Sequence, residues 1–289
     1  MTTRALEVVA TGPLATVQDL GRPGLAALGV GRSGAADTTS MELANRLVGN
    51  EPGTACVEVT FGGLEVVARG GLTVALAGAP CPMSVEGRQV APFAVVWVPD
   101  GATLRLGVPT SGLRSYLAVR GGLDVPAVLG SRSTDTLSGV GPAALEPGRR
   151  LRVGRTTRPL PGVDVVPVRV PDQGDLWLRV ARGPRADWFT DEAYDALLAT
   201  PYEVTAESNR VGMRLSGVAL ERSRDEELPS EGMVPGALQV PPSGQPTLFL
   251  ADHPVTGGYP VVAVVVRADL GLAAQARPGQ QIRFRSDAR

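Results

Sequence analysis

The chain of 289 residues has no lysine: all 28 of its Lys+Arg residues are arginine. A Schiff-base lysine, a lysine general base and the lysine of a P-loop are therefore excluded before any motif is sought. Histidine is nearly as scarce, His253 standing alone. That rules out a metal site built from histidines, and a Ser-His-Asp triad would have to use this one ring. The two cysteines, Cys56 and Cys81, have no CxxC spacing and read as reduced, buried thiols rather than a disulfide framework. An excess of either charge is missing too. With a net charge of −1 and a pI near 6.0 there is no basic field of the kind a nucleic-acid binder carries. Long apolar runs are absent, the densest stretch being Val261 to Val266, so no transmembrane helix is expected. The opening residues, MTTRALEVVATGPL, show no signal-peptide pattern, and the expected location is the cytoplasm.

What the chain has in quantity is glycine and proline, 36 and 25 residues, beside an ordinary hydrophobic share of 43%. This describes a folded, turn-rich protein with one large core or two modest ones. Short apolar runs bounded by Gly, Pro, Asp or Asn recur: Leu64 to Arg69, Leu72 to Gly78, Ala94 to Val98, Thr103 to Leu106, Arg114 to Val119, Leu176 to Val180, Thr247 to Leu250, Val261 to Val266 and Gln281 to Phe284. Regular spacing of short strands predicts a mainly β fold, a barrel or a sandwich. Two segments have helical periodicity. In Asp37 to Val48, Met41, Ala44, Leu47 and Val48 form one face, Asp37 or Thr38 suits the N-cap, and Gly49 sits at C′. The other starts at Ala186 or Thr190 and ends near Leu198, with Trp188, Phe189, Ala193, Leu197 and Leu198 as its apolar stripe. The expected organisation is a β-rich half over 1–155, a Pro- and Arg-rich crossover over 156–171, and a second β-rich half over 172–289.

Three clusters can carry chemistry. The glycine-rich stretch Gly12 to Gly34 contains Gln18, Asp19, Arg22, Arg32 and Ser33 and leads into the first helix. It could offer backbone N–H groups to an anion; equally, Gln18 and Asp19 could fix the loop while Asp37 takes the helix donors. The second cluster is Asn209, Arg210, Gly212 and Arg214. On an extended segment the two arginines would share a face and clamp a carboxylate or phosphate, the alternative being a salt-bridged surface strand. The third runs from Glu231 through Gln239 to Asp252, His253, Thr256, Gly257, Gly258 and Tyr259, polar groups gathered at strand ends beside a Gly-Gly turn. His253 reads either as a general base or as a loop residue before proline.

Four segments, GPLATVQDLGRPGLAALGVGRSGAAD from Gly12, SNRVGMRLSG from Ser208, SEGMVPGALQVPPSGQP from Ser230 and ADHPVTGGYP from Ala251, resemble in order and spacing the family called biotin-dependent carboxyltransferase, allophanate hydrolase subunit 2 or Kip antagonist. The resemblance runs from Gly12 to Phe284. It implies a cyclophilin-like β-barrel. It also implies the role of a subunit of a bacterial ATP-dependent 5-oxoprolinase, which opens the lactam 5-oxo-L-proline to L-glutamate. The implied partners are a Kip inhibitor-like B subunit and a lactam-utilisation A subunit, with ATP, and Mg with it, in the complex. Phosphorylating the lactam oxygen would let a tetrahedral adduct expel phosphate. Carried over by motif, Asp252, Glu231 and Arg214 would be catalytic, Glu231 and Asp252 in polar or metal-assisting roles, with no metal ligand assigned. Gln18, Asp19, Arg22, Ser33, Asn209, Arg210, Gln239, Thr256, Gly257, Gly258 and Tyr259 would bind substrate or anion. The family also implies two alternatives: the carboxyltransferase component of a urea-carboxylase-like enzyme, using biotin, and a regulatory binding protein of the Kip antagonist type. Where many relatives read Gln-Thr-Thr-Gly-Gly-Tyr-Pro-Lys, this chain has Pro254 and Val261 at the ends. Losing that lysine weakens carboxyl transfer more than lactam opening, because a cation near the carboxylated ureido group favours the former.

Overall fold

The computed structural model describes residues 4–156, 158–162, 166–168, 170–224 and 226–287, and the chain divides into two compact units. The first comprises Met1–Arg22, Ser33–Asp135 and Gly139–Pro171; the second comprises Pro23–Arg32, Thr136–Ser138 and Asp172–Arg289. The segment 156–171, expected as a crossover, is counted with the first unit; its residues 157, 163–165 and 169 lie outside the described residues. The two short exchanged segments, 23–32 and 136–138, have no counterpart in the sequence expectation.

In the first unit the elements are β1 (Ala5–Thr11), β2 (Leu14–Gln18), α1 (Thr38–Leu47), β3 (Cys56–Thr60), β4 (Leu64–Arg69), β5 (Leu72–Gly78), β6 (Met83–Val85), β7 (Arg88–Val90), β8 (Val95–Val98), β9 (Thr103–Leu106), β10 (Arg114–Val119) and β11 (Arg150–Arg152). They form a six-stranded sheet, β11-β1-β4-β9-β6-β7, and a five-stranded sheet, β2-β3-β10-β5-β8. Alternation decides which faces meet. In β4, Leu64, Val66 and Ala68 are buried while Glu65, Val67 and Arg69 are half-buried. The buried set joins Val57, Val59, Val74, Leu76, Leu117 and Val119 of the other sheet in one core. β10 is buried on both faces, because α1 lies on its outer side: Met41, Ala44 and Leu47 pack over Tyr116, Ala118, Ala75 and Ala77. Asp37 caps α1, accepting from the Ser40 N–H at 3.1 Å, as the sequence predicts.

A turn at Gly70 and Gly71, both with positive φ, lies between β4 and β5. The strands it joins do not pair with each other. β4 lies between β1 and β9, whereas β5 lies between β10 and β8, so the turn carries the chain from one sheet to the other.

The second unit contains β12 (Leu176–Arg182), α2 (Asp191–Ala199), β13 (Tyr202–Val204), β14 (Gly212–Ser216), β15 (Glu231–Gly232), β16 (Ala237–Gln239), β17 (Thr247–Phe249), β18 (Thr256–Gly257), β19 (Val261–Val265), α3 (Leu270–Ala273) and β20 (Gln281–Ser286). Seven strands close into a barrel in the order β12-β19-β16-β17-β14-β13-β20, all neighbours antiparallel except β12 and β20. Closure removes free sheet edges and fits the expected cyclophilin-like barrel. Leu178, Val180, Met213, Leu215, Leu238, Leu248, Ile282 and Phe284 belong to its core, joined by Ala193, Tyr194 and Leu197 of α2, whose N-cap Thr190 accepts from the Ala193 N–H at 3.1 Å. β15 and β18 pair outside the barrel as a two-stranded ribbon. Among the described residues no helix is long and apolar enough to cross a membrane.

Candidate functional site

In the first unit the polar cluster grows from the end of β2. Gln18, fully buried, donates from Nε2 to the Thr16 hydroxyl at 3.0 Å and to the Thr134 carbonyl at 2.9 Å. Ser33 donates its hydroxyl to the same carbonyl at 3.0 Å. Arg22, 2% exposed, donates from Nη2 to the preceding carbonyl, that of Ser133. Asp19 is occupied differently. Its Oδ1 accepts from the Gly21 N–H at 2.8 Å and from the Ser131 and Ser133 hydroxyls at 2.6 Å each, and Oδ2 accepts from the Arg132 N–H at 2.6 Å. Asp19 therefore fastens two loops together, and the expectation that it lines a ligand wall gives way to that role.

The start of α1 is flanked by two carboxylates, Asp37 and Glu58. Asp37 takes the Ser40 N–H, the Ala36 N–H donates to Glu58 Oε2 at 3.0 Å, and the Asp37 N–H donates to the Tyr116 hydroxyl at 2.7 Å. Tyr116 in turn donates to Glu58 Oε2 at 2.9 Å. Burial, followed by the nearby Glu58 and Asp37 charges, pushes the Tyr116 phenol well above its ordinary range, so it stays protonated. Asp37 and Glu58 thus hold the Ser40 and Ala36 N–H groups and bring negative charge to the start of the helix.

In the second unit Arg210 and Asp252 form a buried bidentate pair, Nε to Oδ2 and Nη2 to Oδ1, each 2.9 Å. Asp252 Oδ2 also accepts from the Thr136 N–H at 2.9 Å and its hydroxyl at 2.7 Å. His253 sets Nδ1 2.8 Å from the Pro254 carbonyl and stacks on Phe249, ring centroids 6.2 Å apart. Phe249 packs with Met233, Ala237 and Val261. Beyond them lie Gln239, whose Nε2 donates to the Tyr259 carbonyl at 3.1 Å, and the half-exposed Tyr259 ring, 5.8 Å from the Arg222 guanidinium. The ribbon sits alongside, Glu231 opposite Gly257 and Gly232 opposite Thr256. Arg185 pairs with both oxygens of Glu231, which holds that carboxyl below the usual glutamate range.

The arginine clamp is not formed. β14 begins at Gly212, so Arg210 precedes the strand and turns inward to Asp252, while Arg214 points outward, its side chain 60% exposed and 3.3 Å from Glu207. Asn209 is spent on an Asx turn, its Oδ1 accepting from the Val211 and Gly212 N–H groups at 2.8 and 3.2 Å. Glu231 and Asp252 each face an arginine, and among the described residues no three His, Cys, Asp or Glu side chains gather as a metal site. The structure does bring together Gln18, Arg22 and Ser33, then Arg210 with Asp252, and finally Glu231, Gln239, Thr256, Gly257 and Tyr259, with Gly258 in the same turn. Sequence reasoning missed Ser131, Ser133, Thr134 and Thr136, although four hydroxyls within SRSTDT were a visible signal. It also missed Arg185 and Arg222, which carry no local pattern.

The family model for the carboxyltransferase domain, subdomains A and B, matches residues 28–286. The chain is 38% identical over 285 residues to the C subunit of the 5-oxoprolinase of Escherichia coli K12, covering 96% of this chain and 90% of that protein. Among solved structures, TTHA0988 superposes with a TM-score of 0.90 at 38% identity, covering 98% of this chain. The Kluyveromyces lactis urea carboxylase superposes with a TM-score of 0.89 at 30% identity, again over 98% of this chain. The chain spans 56% of the length of TTHA0988 and 27% of that of the urea carboxylase.

Proposed function

The chain belongs to the carboxyltransferase domain family, subdomains A and B, and on that premise we propose that it is the C subunit of a 5-oxoprolinase, opening 5-oxo-L-proline to L-glutamate together with A and B subunits in an ATP-coupled complex. The observation that carries this reading is the 38% identity with the Escherichia coli protein over 96% of the chain. The position of Val261 supports it: 3% exposed and packed with Met233, Ala237 and Phe249, it is an apolar core residue where the motif of the resembled family ends in lysine.

Asp37 and Glu58 put two carboxylates beside the start of α1, where they hold the Ser40 and Ala36 N–H groups, and like charge disfavours the phosphates of ATP there. We therefore assign the nucleotide to the companion subunits and the lactam to this chain. A small cyclic amide needs fixed donors and acceptors in a dry setting, and in the second unit the buried Gln239 is a group of that kind.

One observation favours carboxyl transfer as the second reading: Arg222 puts a cation beside Tyr259, where biotin chemistry would want one. Co-purification with A and B subunits, followed by glutamate assay with 5-oxo-L-proline, with and without ATP, tests the first. ATP-dependent glutamate release is expected. A stable complex that forms no glutamate sinks the reading and leaves regulatory binding, while carboxylation of urea in the presence of a biotin carboxylase and carboxybiotin carrier selects the second.

A further inference from the structure

Arg222, in the second unit, lies outside the four segments that resemble the family. Its backbone is fixed from both sides: the Leu220 N–H donates to the Gly244 carbonyl at 2.9 Å, the Ser223 N–H donates to the Trp188 carbonyl at 2.9 Å, and Arg222 itself bridges to Phe189. The side chain is half-buried. Nη2 donates to the Val240 carbonyl, Nε is buried without a hydrogen-bond partner, and Nη1 makes no bond among the described residues. No carboxylate among those residues pairs with the charge, whereas nearby Arg185 meets Glu231 and Arg224 meets Asp187. A guanidinium partly withdrawn from water without a counter-charge favours an anion that can reach it. This one can be reached, since the Tyr259 ring 5.8 Å away is 45% exposed.

The guanidinium lies beside a fixed amide. Val240, which accepts from Arg222, directly follows Gln239, and Gln239 Nε2 donates at 3.1 Å to the carbonyl of Tyr259, the residue whose ring faces Arg222. Turning the amide over would set its oxygen 3.1 Å from that carbonyl oxygen, so Nε2 stays on the backbone and Oε1 is the acceptor. Gly257 makes room for this arrangement, because a Cβ there would come 2.5 Å from Gln239 Nε2.

We propose that Arg222 is the residue that selects a carboxylated ring at these strand ends of β16 and β19, a proposal that rests on the oxoprolinase reading. The carboxylate of 5-oxo-L-proline meets Arg222 through Nη1, the flat ring lies along Tyr259, and the lactam N–H donates to Gln239 Oε1. A neutral lactam keeps the ring and amide contacts and leaves the guanidinium uncompensated, so the arginine sets preference between ligands rather than binding of the ring itself. A carboxylated ureido ring offers the same chemistry from another source.

The test is calorimetric titration of the full chain, and of its Arg222→Gln and Arg224→Gln variants, with 5-oxo-L-proline and with uncharged 2-pyrrolidinone. Wild type and Arg224→Gln are expected to prefer the carboxylated lactam by about 10-fold or more, and Arg222→Gln to lose most of that preference while its binding of 2-pyrrolidinone is unchanged. A structural role alone would weaken both ligands alike, and that result overturns the proposal. So does equal affinity of wild type and Arg222→Gln for 5-oxo-L-proline, or a wild-type chain that fails to bind it at ~10 mM. If Arg222→Gln does not fold, the Arg222 Nε–H resonance of the wild-type protein decides: it shifts with 5-oxo-L-proline and not with 2-pyrrolidinone, or the proposal falls. Loss of carboxyl transfer from carboxybiotin in Arg222→Gln, with 5-oxo-L-proline binding unchanged, gives the residue to the other source and also overturns it. Site and function fail separately. Glutamate release by a complex in which Arg222→Gln makes no difference removes the site and keeps the function; Arg222-dependent binding with no glutamate from the complex does the reverse.

Discussion

Arg210 and Asp252 stand 42 residues apart in the chain and meet through two parallel 2.9 Å bonds, with neither side chain more than 1% exposed. The Asp252 N–H also donates to the Arg210 carbonyl at 3.0 Å, so backbone and side chain tie the same two positions. Breaking one member leaves the other charge buried. Arg210→Met and Asp252→Leu are each expected to cost about 3–5 kcal/mol alone, and the double variant to cost less than either. Urea midpoints of the three proteins check this; a double variant as unstable as the sum of the singles would contradict it.

Arg214 carries no such weight. Its exposed pair with Glu207 predicts that Arg214→Ala changes stability by no more than ~0.5 kcal/mol, against a loss several times larger for Arg210→Ala. Thermal melts of both variants measure the difference, and comparable losses would show that Arg214 has a structural role its exposure does not suggest.

Gly141 has φ +101, and a Cβ there would press into the Ser133 carbonyl oxygen and reach 3.0 Å from Arg22 Nη2. Gly139, with φ +71, has nothing within 4 Å of the same added atom. Gly139→Ala should therefore show backbone strain alone, about 1–2 kcal/mol, and Gly141→Ala distinctly more. Denaturant titration of the pair separates clash from strain; equal losses would mean that Gly141 matters only for its φ.

Acid should destabilise the second unit through two carboxyls. The hydrogen bonds from Arg185 hold Glu231 below its usual range. For Asp269 burial pushes upward, but the side-chain and backbone bonds from Arg179 outweigh it and the net shift is downward. A depressed folded-state pKa contributes stability that is complete above the unfolded-state value and disappears as pH falls through the folded one. The melting temperature should thus drop between about pH 5 and pH 2, and Arg179→Gln should flatten that drop. An unchanged acid slope in Arg179→Gln would remove Asp269 from the account.

The elements of the fold were largely legible. Helix α1 was marked by Met41, Ala44 and Leu47 at helical spacing, by Asp37 at its cap and by Gly49 beyond its end, all signals that act within a few residues. β4 and β5 were equally plain, and so was the glycine turn between them. The pairing was not. Nothing near Gly70 and Gly71 says that the two strands enter different sheets, because that depends on β1, β9, β10 and β8 arriving from elsewhere in the chain.

The same division runs through the candidate site. A period of two placed Arg210 and Arg214 on one face, and it failed because β14 starts only at Gly212 and Arg210 finds its carboxylate on a distant segment. The hydroxyls of Ser131, Ser133 and Thr136 were visible, but not that the first two meet Asp19 and the third Asp252, nor that the Thr134 carbonyl accepts from Gln18 and Ser33, all about a hundred residues away or more.

By itself the sequence determined composition, turns, caps, alternation and the absence of lysine, which leaves arginine and backbone donors to recognise anions. Only the tertiary structure decided which arginine is neutralised, which is exposed and which is buried without an ion pair among the described residues. A side chain's local pattern fixes its direction along one element, whereas its counter-charge and its access to water depend on where distant segments come to rest.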